Sequence, residues 1–141
     1  MDNDVILHAR ATVARKPAFR NLADRQWVLA QKADPVIRHV RGWLSRPKEN
    51  NQTLSEYLTG RVSDMDRLAY MRRQKDLVMS RDLLYVATKA PGTEERLLAF
   101  VVPAKKRQAA IDGCHREAGH QGRDRTLSLM RERFWWPGMA R

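Results

Sequence analysis

The sequence predicts an α+β fold that is mostly helical. N-terminal helices come first, then a small antiparallel β-hairpin or sheet, then a C-terminal helix-turn-helix-like pair. Three observations carry this expectation. Apolar residues recur at helical spacing between positions 24 and 76. The period shortens to that of strands between 77 and 103. It returns to helical spacing after Pro103, with Gly119 dividing the last stretch. The expected divisions are therefore a basic flexible arm over 1–23, a helical segment over 24–76, a sheet over 77–103 and a helical module over 104–141.

The arm carries Asp2, Asp4, Arg10, Arg15, Lys16 and Arg20 with few large apolar residues, and Pro17 interrupts any helix. From Asp24, an expected cap, a first helix places Trp27 and Ala30 on one side. Asp34-Pro35 starts the next, since aspartate accepts from free helical N–H groups and proline lacks the donor that its position would leave unused. Ile37, Val40, Trp43 and Leu44 form one apolar face, with Arg38 and Arg41 outside it. The tryptophans read as core residues.

Residues 46–53 are polar and form a loop. Thr53 and Glu56 have the spacing of a capping box, and Gly60 closes that short helix. Ser63 begins another helix, with Met65, Leu68, Tyr70 and Met71 as its apolar residues and Arg72, Arg73 and Lys75 toward its end. L-V-M, S-R-D and L-L-Y-V-A-T then read as strand, turn and strand. After Pro91-Gly92-Thr93, R-L-L-A-F-V-V reads as a third strand. So small a sheet is marginal alone and must pack on helices.

Pro103 ends the sheet and opens a helix from Ala104 to about Ala118, with Ile111, Cys114 and Ala118 on one face. A last helix runs from near Arg123 to Phe134, its apolar face made of Leu127, Met130 and Phe134. Phe134-Trp135-Trp136 forms an aromatic end before Pro137-Gly138.

The formal charge is +11 in 141 residues. A charge of that sign and size points to an anionic partner, foremost nucleic acid. From Ala104 to Arg141 there are nine Lys/Arg against four Asp/Glu. The candidate contacts are Lys105, Lys106, Arg107, Arg123, Arg125, Arg131 and Arg133. Arg123 and Arg125 begin a helix, where backbone N–H groups also favour phosphate. Contacts of this kind give affinity without reading bases. The single cysteine, Cys114, excludes an internal disulfide framework. The N-terminus has no secretory pattern, and no apolar run is long enough for a membrane helix. An intracellular, nuclear protein is expected.

His115 and His120 are five residues apart with Gly119 between them. A break at the glycine lets His120 swing back toward His115, and a spacing of three to five between histidines is usual for zinc. Cys114 shares the apolar stripe with Ile111 and Ala118 and reads as a small buried hydrophobe rather than a third ligand. It is also adjacent to His115, and neighbours on a helix point about 100° apart, which disfavours a Cys-His catalytic pair. His8 and His39 have no partners nearby. No catalytic residue is assigned.

The string L-x-F-V-V-P-x-x-x-R followed by C-H-R-E-A-G-H-Q-G-R-D-R-T-L-S-L-M-R-E-R-F-W-W-P-G-M resembles the zinc-binding N-terminal domain of integrases from Gypsy-type LTR retrotransposons, which have a His-His-Cys-Cys plan. The match is dense over 100–139. Upstream, Q-K-A-D-P-V-I-R-H-V-R-G-W-L is similar to the segment after the ribonuclease H part of such polyproteins, and D-L-L-Y-V with L-L-A-F-V-V-P to the small extension before the zinc module. The resemblance implies that His115 and His120 are the two metal histidines. The family's Cys-x-x-Cys lies past Trp-Pro-Gly-Met, beyond Arg141, and the catalytic core is absent, so no strand-transfer chemistry is expected from this chain. Expected partners are DNA and either a second copy or an integrase-like chain. A protein-interaction module and an inactive polyprotein fragment are the alternative readings.

Overall fold

A computed structural model describes residues 23–47, 51–89, 92, 94, 96–119 and 122–139. The arm expected over 1–23 lies outside them except for Ala23. Six α-helices are present among the described residues: α1 (Ala23–Ala33), α2 (Pro35–Leu44), α3 (Leu54–Leu58), α4 (Asp64–Arg72), α5 (Arg107–Ala118) and α6 (Arg123–Arg133). Four strands accompany them: β1 (Leu77–Ser80), β2 (Leu83–Lys89), β3 (Arg96–Val101) and β4 (Phe134–Trp135). The α+β, mostly helical class is as expected. No helix among the described residues is long and apolar enough to cross a membrane.

The caps explain where several helices start. Asp34 Oδ1 accepts from the Val36 and Ile37 amides, with Pro35 in the first helical turn. Thr53 and Glu56 form the reciprocal capping box, and the Thr53 backbone amide hydrogen bond holds the Glu56 carboxyl below its ordinary pKa. Ser63 caps α4 by accepting from the Asp66 amide. The Asp24 cap does not hold, because α1 already begins at Ala23 and Asp24 lies inside it.

The sheet differs from expectation in one strand. Its order is β1-β2-β3-β4, antiparallel through β3, but β4 joins β3 in parallel through Phe100↔Phe134 and Val101↔Trp135. The residues Phe134-Trp135 leave the helical register and continue as strand, so the sheet is mixed. β1 and β2 are joined by Arg81 and Asp82, both with positive φ (48° and 68°). That is the two-residue hairpin turn whose twist suits antiparallel strands. Two non-glycine residues there are costly. Asp82 is held in place by Lys32 Nζ at 2.5 Å and Arg41 at 2.7 Å, while Arg41 Nη1 also donates to the Asp82 carbonyl. Hydrogen bonds from Lys32 and then Arg41 lower the Asp82 pKa.

Strand alternation sends side chains to two cores. On one face Leu83, Tyr85, Leu98, Phe100 and Val102 meet Trp27 of α1, Ala110, Cys114 and Ala118 of α5, and Leu129 and Met130 of α6. On the other face Leu77, Leu84, Val86 and Val101 meet Ile37 and Val40 of α2, Leu54 and Leu58 of α3, and Tyr70 of α4. Covering both faces is why these strands read as continuous apolar runs instead of alternating ones. The first cluster draws on residues from either side of positions 76/77 and 103/104, and the second from either side of 76/77, with Trp135 packed against it. Trp27 stacks on Phe134 at 5.9 Å and meets Phe100 edge-on at 5.7 Å, so this tryptophan is core, as expected.

One helix face is rotated from expectation. In α4 only Tyr70 is buried, while Met65, Leu68 and Met71 face outward. In α6 the expected face holds, with Met130 and Phe134 buried in the core and Leu127 packed against it, and Thr126, Leu129 and Arg133 are buried beside them. Burial in α6 also takes in two polar residues, Thr126, whose hydroxyl donates to the Gly122 carbonyl, and Arg133, which apolar spacing does not register.

Candidate nucleic-acid interface and metal ligands

Pro103 leads from β3 into a short 3₁₀ turn, Ala104–Lys106, before α5 begins at Arg107. Asp34 fixes this turn. Its Oδ2 accepts from the Ala104 amide at 2.9 Å while Oδ1 caps α2. One carboxylate thus ties the start of α2 to the start of the C-terminal segment across 70 positions. Lys105 is exposed and Lys106 and Arg107 are half-buried. The Arg107 charge lies close enough to Tyr70 to oppose the rise in that phenol's pKa, which is driven up mainly by burial and then by Asp34 and Asp66.

Gly119 ends α5 with φ at 62°, and Gly122 precedes α6 with φ at 89°. These backbone conformations favour glycine, so the break expected at Gly119 is built into the chain. Gly122 at the N-cap brings no side chain to cap α6. Amides in the first turn of a helix lack intrahelical partners and suit an acceptor. Arg123 and Arg125 are exposed on this first turn, beside Asp124. Arg131 is exposed further along and lines a groove with Lys89, Thr88, Asp124 and Glu132. The candidate cations thus lie at three places: before α5, at the start of α6, and on its later turns.

Arg133 does not belong with them. It is 1% exposed, and its two terminal nitrogens reach both Glu117 oxygens at 2.5 and 2.6 Å. A bidentate pair with the charge inside leaves no guanidinium for a phosphate. It locks the end of α6 to the last turn of α5. No local pattern signals a partner 16 positions away. The aromatic end is also covered: Phe134 is 1% and Trp136 7% exposed, and Trp135 is half-buried against Tyr70 at 4.9 Å. The unprotected apolar surface lies next to it instead. Met65, Leu68, Ala69 and Arg72 of α4 face Trp135, Trp136 and Met139 across a cavity of about 380 Å³.

His115 is exposed on the last turn of α5. His120 lies outside the described residues. Cys114 is fully buried in the core cluster beneath α5 and α6 and does not face His115's solvent side. Among the described residues no group of three or more His, Cys, Asp or Glu side chains is placed to hold a metal ion. Of the two expected metal histidines the described residues place one, His115, where a structural site takes four ligands.

A helix pair broken at glycine, with a histidine on the last turn before the break and a basic second helix, is the class of module that the geometry defines. Residues 102–141 match the family described as the integrase zinc binding domain. The match covers the C-terminal 40 residues and leaves the helices and most of the sheet before it outside. No curated protein and no solved structure matches the chain.

Proposed function

We propose that this chain is a non-catalytic module derived from a Gypsy-type LTR retrotransposon integrase, and that it binds DNA through the phosphate backbone. The supporting observation is the start of α6: exposed Arg123 and Arg125 beside first-turn backbone amides, within the segment that matches the integrase zinc-binding family. Lys105, Lys106 and Arg107, held by Asp34, and Arg131 extend the cationic surface. Contacts of this type give strongly salt-dependent binding with little base preference. The decisive experiment titrates a fluorescent duplex with wild type and with Arg123→Glu/Arg125→Glu across a range of NaCl concentrations. Affinity is expected to fall steeply with salt and to disappear in the double variant. Salt-insensitive binding, or binding untouched by the substitution, would sink the reading.

Zinc belongs to the same proposal. His115 and His120 contribute imidazole ligands, and the same pair from a second copy of the chain completes the four. Zinc held there pins the turn between α5 and α6. Metal analysis of the purified protein tests this: fewer than about one ion per two chains would retire the claim, since a structural site takes four ligands.

A second reading, self-association, is favoured by the outward Met65, Leu68 and Met71 beside the Trp135–Trp136 cavity. Exposed apolar patches of this kind mark contact surfaces. A mass that rises with concentration, is lost in Met65→Glu/Met71→Glu, and is accompanied by no DNA affinity would replace the first reading with the second.

A further inference from the structure

The junction between α2 and α3 carries an arrangement of cations that neither the family match nor the α6 surface includes. Arg46 follows α2, Tyr57 lies in α3, and Arg61 follows α3. The Arg46 guanidinium centres 4.6 Å from the middle of the Tyr57 ring and that of Arg61 4.4 Å from it. The two charges are thus no more than about 9 Å apart. Like charges held this close repel, and something must fix them there.

Each arginine is fixed by neutral groups. Arg46 Nη1 donates to Gln52 Oε1 at 2.5 Å, and Arg61 Nη1 donates to the Tyr57 carbonyl at 2.6 Å. The Gln52 carbonyl accepts in turn from Trp43 Nε1 at 2.9 Å, which anchors this loop on α2. Gly42 lets the tyrosine lie close: a Cβ there would stand 3.1 Å from the Tyr57 hydroxyl. Among the described residues neither arginine forms an ion pair with a carboxylate. Both are exposed.

We infer that Arg46, Tyr57 and Arg61 form a second phosphate-backbone contact for nucleic acid, separate from the surface at α6. Three features favour this ligand. The aromatic ring orients both planar guanidiniums while leaving their outer N–H edges to solvent, and that fork matches phosphate oxygens. A separation of at most about 9 Å lets both cations face phosphates of one strand, whose charge repeats about every 3.4 Å of axis. With neutral groups as their partners, the two cations retain their charge for an external polyanion, and binding relieves their mutual repulsion. The inference shares with the proposed function only the class of ligand. Its residues lie outside 102–141, so either contact can fail without the other.

The test uses the full chain and a fluorescent duplex of scrambled sequence, measuring affinity against NaCl for wild type, Arg46→Gln/Arg61→Gln, Arg46→Lys/Arg61→Lys and Arg123→Glu/Arg125→Glu. Thermal unfolding confirms that each variant is folded. Loss of two phosphate contacts should make the log–log salt slope shallower by about 1.8 and reduce affinity by at least about tenfold near 0.1 M salt. The lysine pair should recover part of the slope, because the charges return without the ring-held fork. An unchanged slope in the glutamine pair, with the α6 variant inactive, would overturn this inference and leave the proposed function standing. Loss in the glutamine pair with full binding by the α6 variant would do the reverse. Equal loss of binding to polyglutamate would also overturn it, and absence of any wild-type binding would overturn both.

Discussion

Gln31→Leu is expected to be among the most damaging single changes in this chain, although the side chain is uncharged and no part of the α6 surface. Gln31 is completely buried between α1 and the sheet. Its Nε2 donates to the Leu84 carbonyl at 3.1 Å and the Val101 carbonyl at 2.9 Å, and its Oε1 accepts from the Leu84 amide at 2.9 Å. Paired residues of β2 and β3 run only as far as Tyr85↔Phe100. The glutamine amide therefore satisfies the backbone one step beyond, where β3 turns to its other neighbour, β4. Leucine preserves most of the volume but orphans one donor and two acceptors. Each lost bond removes about 1 kcal/mol, and a buried group left unpaired costs about 1–3 kcal/mol. The greater apolarity of leucine returns part of this, so a net loss of about 3 kcal/mol is expected. For a domain of this size that lowers Tm by roughly 10 °C. Urea unfolding followed by tryptophan fluorescence measures it, with the m-value unchanged if the fold is retained. Gln31→Glu is the control. Its carboxylate faces two carbonyl oxygens, so it should be worse at neutral pH and improve as it is protonated. A leucine variant within about 0.5 kcal/mol of wild type, less than one net hydrogen bond, would refute this account of the α1–sheet contact.

Three further outcomes are expected. Arg133→Met should destabilise by about 1–2 kcal/mol in urea unfolding, below the range for a fully buried pair because Glu117 is 36% exposed and can rehydrate; DNA affinity should not change, and a large loss in a folded variant would return Arg133 to the interface. Asp82 has its pKa lowered by Lys32 and Arg41, so its stabilisation is present above its ordinary value of 3.8 and is lost as pH falls through the lower folded value. The gap in urea midpoint between wild type and Asp82→Asn should therefore be constant near neutrality and close in acid; a gap that widens in acid would contradict the Lys32–Asp82–Arg41 clamp. Asp34→Asn keeps an acceptor for the α2 cap but weakens the hold on Ala104, so hydrogen exchange at Ala104–Lys106 should speed up more than exchange within α2; equal change in both would show that the two roles are not separable.

The α5–α6 pair shows how far a short-range signal reaches. Gly119 as a helix end, the next helix from near Arg123, and the β-branched and aromatic runs of β2 and β3 follow from a few neighbouring residues. The resemblance over 100–139 and the matched segment 102–141 coincide because that part carries its identity in closely spaced residues. The choice between Arg131 and Arg133 was not legible. Two arginines on one helix differ in role only because Glu117 faces one of them, and spacing along α6 carries no information about α5.

From sequence alone came the helical and strand periods, the Asp34-Pro35, Thr53–Glu56 and Ser63 starts, the turn after β1, and the surplus of positive charge. These depend on interactions within one turn of helix or one hairpin, where chain geometry itself brings the groups together. Tertiary structure alone decided that the sheet is covered on both faces, that Phe134-Trp135 becomes its fourth strand, that Gln31 closes the backbone of β2 and β3, and which cations remain outside. Those outcomes join positions 16 to 70 residues apart. At that range only packing determines which polar group finds a partner, because burial makes an unpaired one costly.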